Sequence, residues 1–107
     1  MIQYTTPTVG VRVKTELDPT YDYQLTIQPV DKVSKKPKGE KTEFDTPNVR
    51  VADGFTYVTV KLTQAQSAAF PVGTIKMQAN WKVDSNTRGA SKPVYLKVEP
   101  NLHAQQM

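Results

Sequence analysis

Apolar and polar residues alternate along most of the chain with a period of two. Val9, Val11 and Val13 alternate with small or charged residues, and positions 75–83 place apolar side chains on one face and polar side chains on the other. This period is typical of strands that face a core on one side and water on the other. No segment sustains the 3.6-residue period of a helix. The pattern therefore predicts short antiparallel strands separated by turns.

Turn and helix signals fall between these stretches. Asp53-Gly54 separates two β-rich stretches and predicts a tight hairpin, because both turn positions favour positive φ. The stretch 84–89 also has turn composition. In the segment 63–69, Thr63 can cap a helical turn, no β-branched residue follows it, and Pro71 stops the helix. We predict one short helical crossover near residues 63–69.

Strands at intervals of roughly 10–15 residues, with turns between them, are typical of an antiparallel sandwich or a small barrel. The predicted fold class is all-β, an immunoglobulin-like antiparallel β-sandwich. Residues 1–102 are predicted to form one domain with a basic loop or arm at 31–41, followed by a tail at 103–107. The positions expected in the core are Val11, Val13, Leu25, Ile27, Val51, Val58, Val60, Leu62, Phe70, Ile75, Met77, Trp81, Val83, Val94, Leu96 and Val98.

Composition narrows the chemistry available. The 107 residues include no cysteine and a single histidine, His103. Disulfides, thiolate zinc sites, cysteine catalysis, histidine triads and multi-histidine metal sites are therefore excluded. Most aspartates lie in predicted turns, so we expect no enzymatic activity, no cofactor and no metal. No apolar run approaches the roughly 20 residues that span a bilayer, and the first residues do not resemble a secretory signal.

The positive charge is concentrated in one segment. The formal charge is 14 − 10 = +4, and five lysines with two acids lie between positions 31 and 41. The remaining chain holds nine basic and eight acidic residues, a balance of +1. The lysine segment permits three interpretations: a solvated loop, an electrostatic contact to an acidic neighbouring subunit, or an arm that contacts phosphates. No arginine or aromatic residue interleaves the lysines, which disfavours base stacking and base readout.

Two tyrosines fall on the polar sides of their predicted strands. Tyr57 alternates with Val58 and Val60, and Tyr95 alternates with Val94 and Leu96. Exposed tyrosines on a sheet suit protein–protein contact. The candidate intersubunit contact residues are Lys32, Lys35, Lys36, Lys38, Lys41, Tyr57, Tyr95 and His103.

The C-terminal half carries a recurrent pattern. A strand ends in Leu62-Thr63-Gln64, a short polar helical turn leads to Phe70, Gly73 makes a turn, and the next strand carries Ile75 and Gln78 before a polar hairpin. Over about residues 55–102, this order resembles the immunoglobulin-like modules of upper-baseplate and accessory virion proteins of tailed phages. The resemblance implies an architecture and no catalytic residues, because these modules serve assembly and display rather than catalysis.

The resemblance implies a phage virion structural protein. It would be a capsid accessory (decoration or head-fibre-anchoring) or a tail or baseplate component, made in the host bacterial cytoplasm and carried on the virion. Its expected partners are capsid or tail subunits and further copies of itself, with many weak contacts multiplied by avidity. The alternative is a nucleic-acid-binding accessory protein that uses the lysines at 32–41. A glycan-binding module is disfavoured because the tyrosines are scattered.

Overall fold

The computed structural model describes residues 1–101, which contain one helix and a series of strands. The elements in chain order are β1 (Thr8–Val13), β2 (Asp22–Val30), β3 (Thr42–Phe44), β4 (Asn48–Ala52), β5 (Phe55–Lys61), α1 (Gln64–Ala69), β6 (Gly73–Lys82), β7 (Arg88–Ala90) and β8 (Val94–Val98).

The strands form two sheets, and every pair of these strands is antiparallel. The first sheet has the order β1-β5-β4. In the second, β2 lies between β3 and β6, while β7 and β8 pair with successive parts of the other side of β6. About half of the residues are in strands and 6% are helical. The predicted all-β antiparallel class is confirmed.

One apolar cluster holds the two sheets together. Val11 and Val58 contribute from the first sheet, and Leu25, Ile27 and Ile75 contribute from the second. Burying a side chain of this size stabilises the fold by about 1.5–3 kcal/mol relative to leaving it exposed. The predicted core positions found buried are Val11, Leu25, Ile27, Val58, Leu62, Phe70, Ile75, Met77 and Val98.

The prediction of a core position is wrong for Val83 and Val94, since each is 40% exposed. Val83 follows the end of β6 and enters the turn, while Val94 begins β8 at the margin of its sheet. Other predicted positions are only partly buried: Val13, Val51, Val60, Trp81 and Leu96. Alternation identified the inward side of each strand but not where the opposite sheet ends. The buried apolar positions absent from the prediction are Val9, Tyr23, Val30 and Ala79.

The predicted helical crossover is confirmed at Gln64–Ala69. Thr63 caps it with a reciprocal pair of hydrogen bonds: its hydroxyl accepts from the Gln66 N–H, and the Gln66 side chain accepts from the Thr63 N–H. The buried Ser67 hydroxyl donates to the Thr5 carbonyl at 2.7 Å. The helix is therefore tied to the N-terminal segment by a hydrogen bond as well as by packing.

Thr56 is a polar residue in the interior of the first sheet, with no exposed surface. Its hydroxyl donates to the Thr15 carbonyl at 2.8 Å and accepts from the Leu17 N–H at 2.9 Å. These bonds fix the connection between β1 and β2 against β5. A buried hydroxyl that both donates and accepts avoids the cost of an unpaired polar group.

Three aspartates, called here the turn aspartates, close loops by accepting hydrogen bonds from nearby residues. These bonds lower the pKa of each carboxyl. The main donor to Asp18 is the side chain of Thr20. Asp31 accepts mainly from the N–H groups of Ser34 and Val33, and Asp84 accepts mainly from the N–H of Asn86.

The predicted hairpin at Asp53-Gly54 is also confirmed, because it joins β4 to β5 with φ values of 54° and 82°.

The last strand of the second sheet is interrupted between β7 and β8. The Ser91 hydroxyl accepts from the Ala79 N–H at 3.0 Å, and the Ser91 N–H donates to the Ala79 carbonyl at 2.9 Å. Ser91 thus provides hydrogen-bond partners for the Ala79 N–H and carbonyl, at the point where β6 stops pairing with β7 and begins to pair with β8. Beside this break, the Trp81 indole lies over Gly89, where a Cβ atom would be 2.3 Å from the Trp81 Nε1 atom.

The N-terminal residues pair with the end of β8 rather than with β1. The Met1 ammonium donates to the Lys97 carbonyl at 2.7 Å, and Glu99 bridges in parallel with Ile2. The Glu99 N–H donates to the Met1 carbonyl at 2.7 Å, and the Gln3 N–H donates to the Glu99 carbonyl at 3.0 Å. The chain then crosses to the first sheet as β1.

Candidate interaction surfaces

The lysine segment is an ordered loop between β2 and β3. The Asp31 carboxylate accepts from the Val33 and Ser34 N–H groups at 2.9 and 2.8 Å, and the Lys38 N–H donates back to the Pro29 carbonyl at 2.9 Å. Pro37 also bridges to Val30. The loop therefore has a fixed path, and most of its residues are exposed.

Two of the predicted contact residues meet on the outer face of the second sheet. The Lys35 ammonium lies 4.6 Å from the centre of the Tyr95 ring, and the same Nζ donates to the Lys32 carbonyl at 2.7 Å. A cation over an aromatic ring at a partly exposed site contributes about 0.5–1 kcal/mol. The loop thus folds over β8 at the position where Tyr95 pairs with Lys76.

The other lysines of the loop differ in their surroundings. Lys41 forms an exposed ion pair with Glu43 at 3.5 Å, which contributes little to stability. It also borders a depression of about 200 Å³ lined by residues that include Gln28, Gln78 and Asn80. Lys32, Lys36 and Lys38 are exposed and make no salt bridge within residues 1–101. These three ammonium groups remain available to an anionic partner.

Tyr57 lies on the opposite side of the molecule from Tyr95, on the outer face of the first sheet. The Arg50 guanidinium lies 4.9 Å from the centre of its ring, and Phe55 is its aromatic neighbour at 6.3 Å. The predicted contact residues therefore belong to two separate surfaces. His103, the remaining candidate, lies outside the described residues.

Two arginines on the first sheet, Arg12 and Arg50, are absent from the contact residues predicted from the sequence. Arg12 lies 4.4 Å from the centre of the Phe55 ring, and both Arg12 and Arg50 pair in register with Tyr57 from the two neighbouring strands. Alternation alone places each arginine on a polar side of a strand. That they flank one tyrosine depends on cross-strand register, which alternation does not specify.

A depression lined by several charged groups lies beside Trp81. It has a volume of about 480 Å³ and includes Asp22, Asp45, Lys82 and Arg88 among its lining residues. The Gln24 amide donates to the Asp45 carboxylate at 2.8 Å, so that carboxylate is already engaged.

Residues 1–101 contain no cluster of three metal-ligating side chains. Within the same range, no helix combines the length and apolarity needed to cross a bilayer.

Two surfaces therefore stand out as candidates for binding: the lysine loop with Tyr95 on the second sheet, and the arginines with Phe55 and Tyr57 on the first. Comparison of the chain with protein-family models, with curated proteins and with solved structures gave no match.

Proposed function

We propose that the protein is a non-enzymatic structural component of a phage virion, either a capsid accessory or a part of the tail or baseplate. The resemblance of residues 55–102 to phage virion modules supports the assignment to a phage particle. The ordered lysine loop supports a binding role. The observation that carries the binding role is the packing of Lys35 on Tyr95, because it holds the loop in place while Lys32, Lys36 and Lys38 remain exposed.

We propose further that the sandwich is immunoglobulin-like. The two facing antiparallel sheets and the helical crossover from β5 in one sheet to β6 in the other support this assignment. The position of β2 differs from the constant-type arrangement, in which the second strand joins the sheet of the first and fifth strands. Here β2 pairs with β3 and β6 instead. In the proposed assignment, β2 therefore belongs to the opposite sheet from its counterpart in the constant-type arrangement.

The proposed mechanism is attachment through many weak contacts. An ordered loop loses less conformational entropy on binding than a mobile arm, so its three exposed lysines can meet an acidic neighbouring subunit at lower cost. One such contact is weak because exposed charges are screened by salt. Repetition over many copies on a particle raises the overall affinity without new contacts.

The first test is quantitative mass spectrometry of density-purified particles from the source culture. A ratio near one copy per major capsid subunit would indicate a decoration protein, whereas a few per cent would indicate tail, baseplate or vertex. Absence from purified particles would refute the virion role.

The second test addresses the lysine loop with matched variants. The triple change Lys32→Gln, Lys36→Gln and Lys38→Gln removes three charges from the loop. The control Lys82→Gln, Arg88→Gln and Lys92→Gln removes three exposed charges elsewhere, and these residues also form no salt bridge within residues 1–101. We expect the loop variant to lose cosedimentation with particles that lack the protein, and the control to retain it. Equal behaviour of the two variants would remove the loop from the mechanism.

The lysine loop also permits the alternative function of nucleic-acid binding. If the three exposed ammonium groups each neutralise one phosphate, binding to duplex DNA would show a log–log salt dependence with a slope of about −2.7. A salt titration with a labelled duplex measures this slope. A slope near this value that falls to zero in the loop variant would favour the alternative, and undetectable binding would dismiss it.

A further inference from the structure

The outer face of the first sheet carries a row of stacked arginine and aromatic side chains. Arg12 on β1 and Arg50 on β4 both pair with Tyr57 on the central strand β5, and Phe55 precedes Tyr57 on the same face. With strands about 4.8 Å apart, the Cα atoms of the two arginines are about 10 Å apart. We call Arg12, Arg50, Phe55 and Tyr57 the arginine–aromatic face.

Each guanidinium on this face is already held against a ring. Arg12 lies 4.4 Å from the centre of the Phe55 ring, and Arg50 lies 4.9 Å from the centre of the Tyr57 ring. The two rings support each other at 6.3 Å. Stacking restrains the long arginine side chains, so a partner that binds them has less rotamer entropy to remove. The planar fork of N–H donors in each guanidinium stays available for a bidentate acceptor.

The face has positive charge without compensating acids. The strands β1, β4 and β5 contain no Asp or Glu, whereas Lys61 adds a third cation. Within residues 1–101, neither Arg12 nor Arg50 forms a salt bridge. The Glu16 carboxylate near the β4–β5 turn accepts instead from the Gly54 N–H at 3.2 Å. Charge complementarity therefore requires an anionic partner.

We propose that the arginine–aromatic face docks onto a protein surface that presents carboxylates, with one carboxylate bound by each guanidinium fork. A polynucleotide fits the face less well. Single-stranded binding uses a positive groove that follows the backbone and free ring faces on which bases stack. Here the strands form an open sheet face, and each ring already carries a guanidinium. The inference goes beyond the virion proposal and does not depend on it.

The size of the face sets the expected strength. Three strands of five to seven residues present roughly 300 Å², well below the roughly 800 Å² per partner of a standard specific interface. A single contact is therefore weak. Several copies bound to one partner would raise the overall affinity without new contacts.

The test is an NMR titration of the full chain, with ¹⁵N-labelled protein and hexaglutamate as the carboxylate probe. We expect amide shift changes on β1, β4 and β5. The variant Arg12→Lys/Arg50→Lys keeps the charge and removes the bidentate forks, and we expect its affinity for hexaglutamate to fall about three- to tenfold. The control Lys32→Gln/Lys36→Gln, which removes two loop charges, leaves the shift changes on these strands in place.

Several results would overturn the inference. One is an unchanged affinity of the Arg12→Lys/Arg50→Lys variant with an unchanged melting temperature. Shift changes confined to the lysine loop would assign the carboxylate binding to the other surface. Tighter binding of oligothymidylate than of hexaglutamate at the same salt, lost in a Phe55→Leu/Tyr57→Leu variant, would assign the face to single-stranded nucleic acid. No response to either probe would leave the face without anion binding.

Discussion

Removing one buried hydroxyl should destabilise the fold more than removing one buried methyl at the same position. The hydroxyl of Thr56 makes two hydrogen bonds, one to the Thr15 carbonyl and one from the Leu17 N–H, and the residue has no exposed surface. Thr56→Val preserves the shape of the side chain and deletes both bonds. Thr56→Ser keeps the hydroxyl and deletes the methyl, so it serves as the matched control.

The magnitude follows from the two bonds. Each typical hydrogen bond contributes about 0.5–1.5 kcal/mol net, so the pair is worth about 1–3 kcal/mol. Thr15 is exposed and water can partly replace the bond to its carbonyl, whereas Leu17 is half-buried. We therefore expect Thr56→Val to lower the free energy of unfolding by about 2 kcal/mol. The lost methyl of Thr56→Ser should lower it by about 1 kcal/mol.

Urea unfolding followed by circular dichroism measures both variants. The midpoint should decrease in the order wild type, Thr56→Ser, Thr56→Val, with an unchanged slope if only stability has changed. At about 4 °C per kcal/mol for this length, Thr56→Val should melt about 8 °C lower. If Thr56→Val is as stable as Thr56→Ser or more stable, the methyl rather than the hydrogen bonds holds the β1–β2 connection, and the reasoning is refuted.

Three further predictions concern other parts of the fold. Gly89→Ala should displace the Trp81 indole and destabilise the protein by about 1–3 kcal/mol, with a shifted tryptophan emission; an unchanged spectrum would contradict this. Ser91→Ala should leave the Ala79 N–H without its acceptor and reduce its protection from hydrogen exchange, whereas unchanged protection would show that the bond to the Ser91 hydroxyl is not what protects this N–H. The turn aspartates have lowered pKa values, so their stabilisation is complete above the ordinary carboxylate pKa and is lost as pH falls through the lowered values. The urea midpoint should be level between about pH 5 and 7 and fall below about pH 4, and a rise on acidification would oppose the assignment.

Features set by local chemistry could be predicted from the sequence. Thr63 and the residues after it make a capped helix because cap and helix lie within a few residues. Asp53-Gly54 makes a hairpin turn for the same reason, since both residues adopt positive φ. The inward side of each long strand also followed from alternation, as the burial of Leu25, Ile27 and Ile75 confirms.

Features set by distant partners could not be predicted. Lys35 meets Tyr95 only because the lysine loop folds over β8, and nothing near either residue in the chain specifies that contact. The same holds for Arg12 and Arg50, which become neighbours of Tyr57 through strand register. Val94 pairs with the buried Met77 yet is 40% exposed, because exposure depends on how far the opposite sheet extends.

The parallel pairing of residues 1–3 with the end of β8 determines how the protein responds to mechanical load. If Met1 and Asn101 are pulled apart, the two parallel segments are drawn in opposite directions along their length. The hydrogen bonds between Met1, Gln3, Lys97 and Glu99 are then loaded together in shear rather than opened one at a time. The Asn101 side chain, which donates to the Gln3 carbonyl at 3.1 Å, adds a further link under the same load. The fold is thus expected to resist tension applied at Met1 and Asn101 better than tension that peels β4 from the edge of the first sheet.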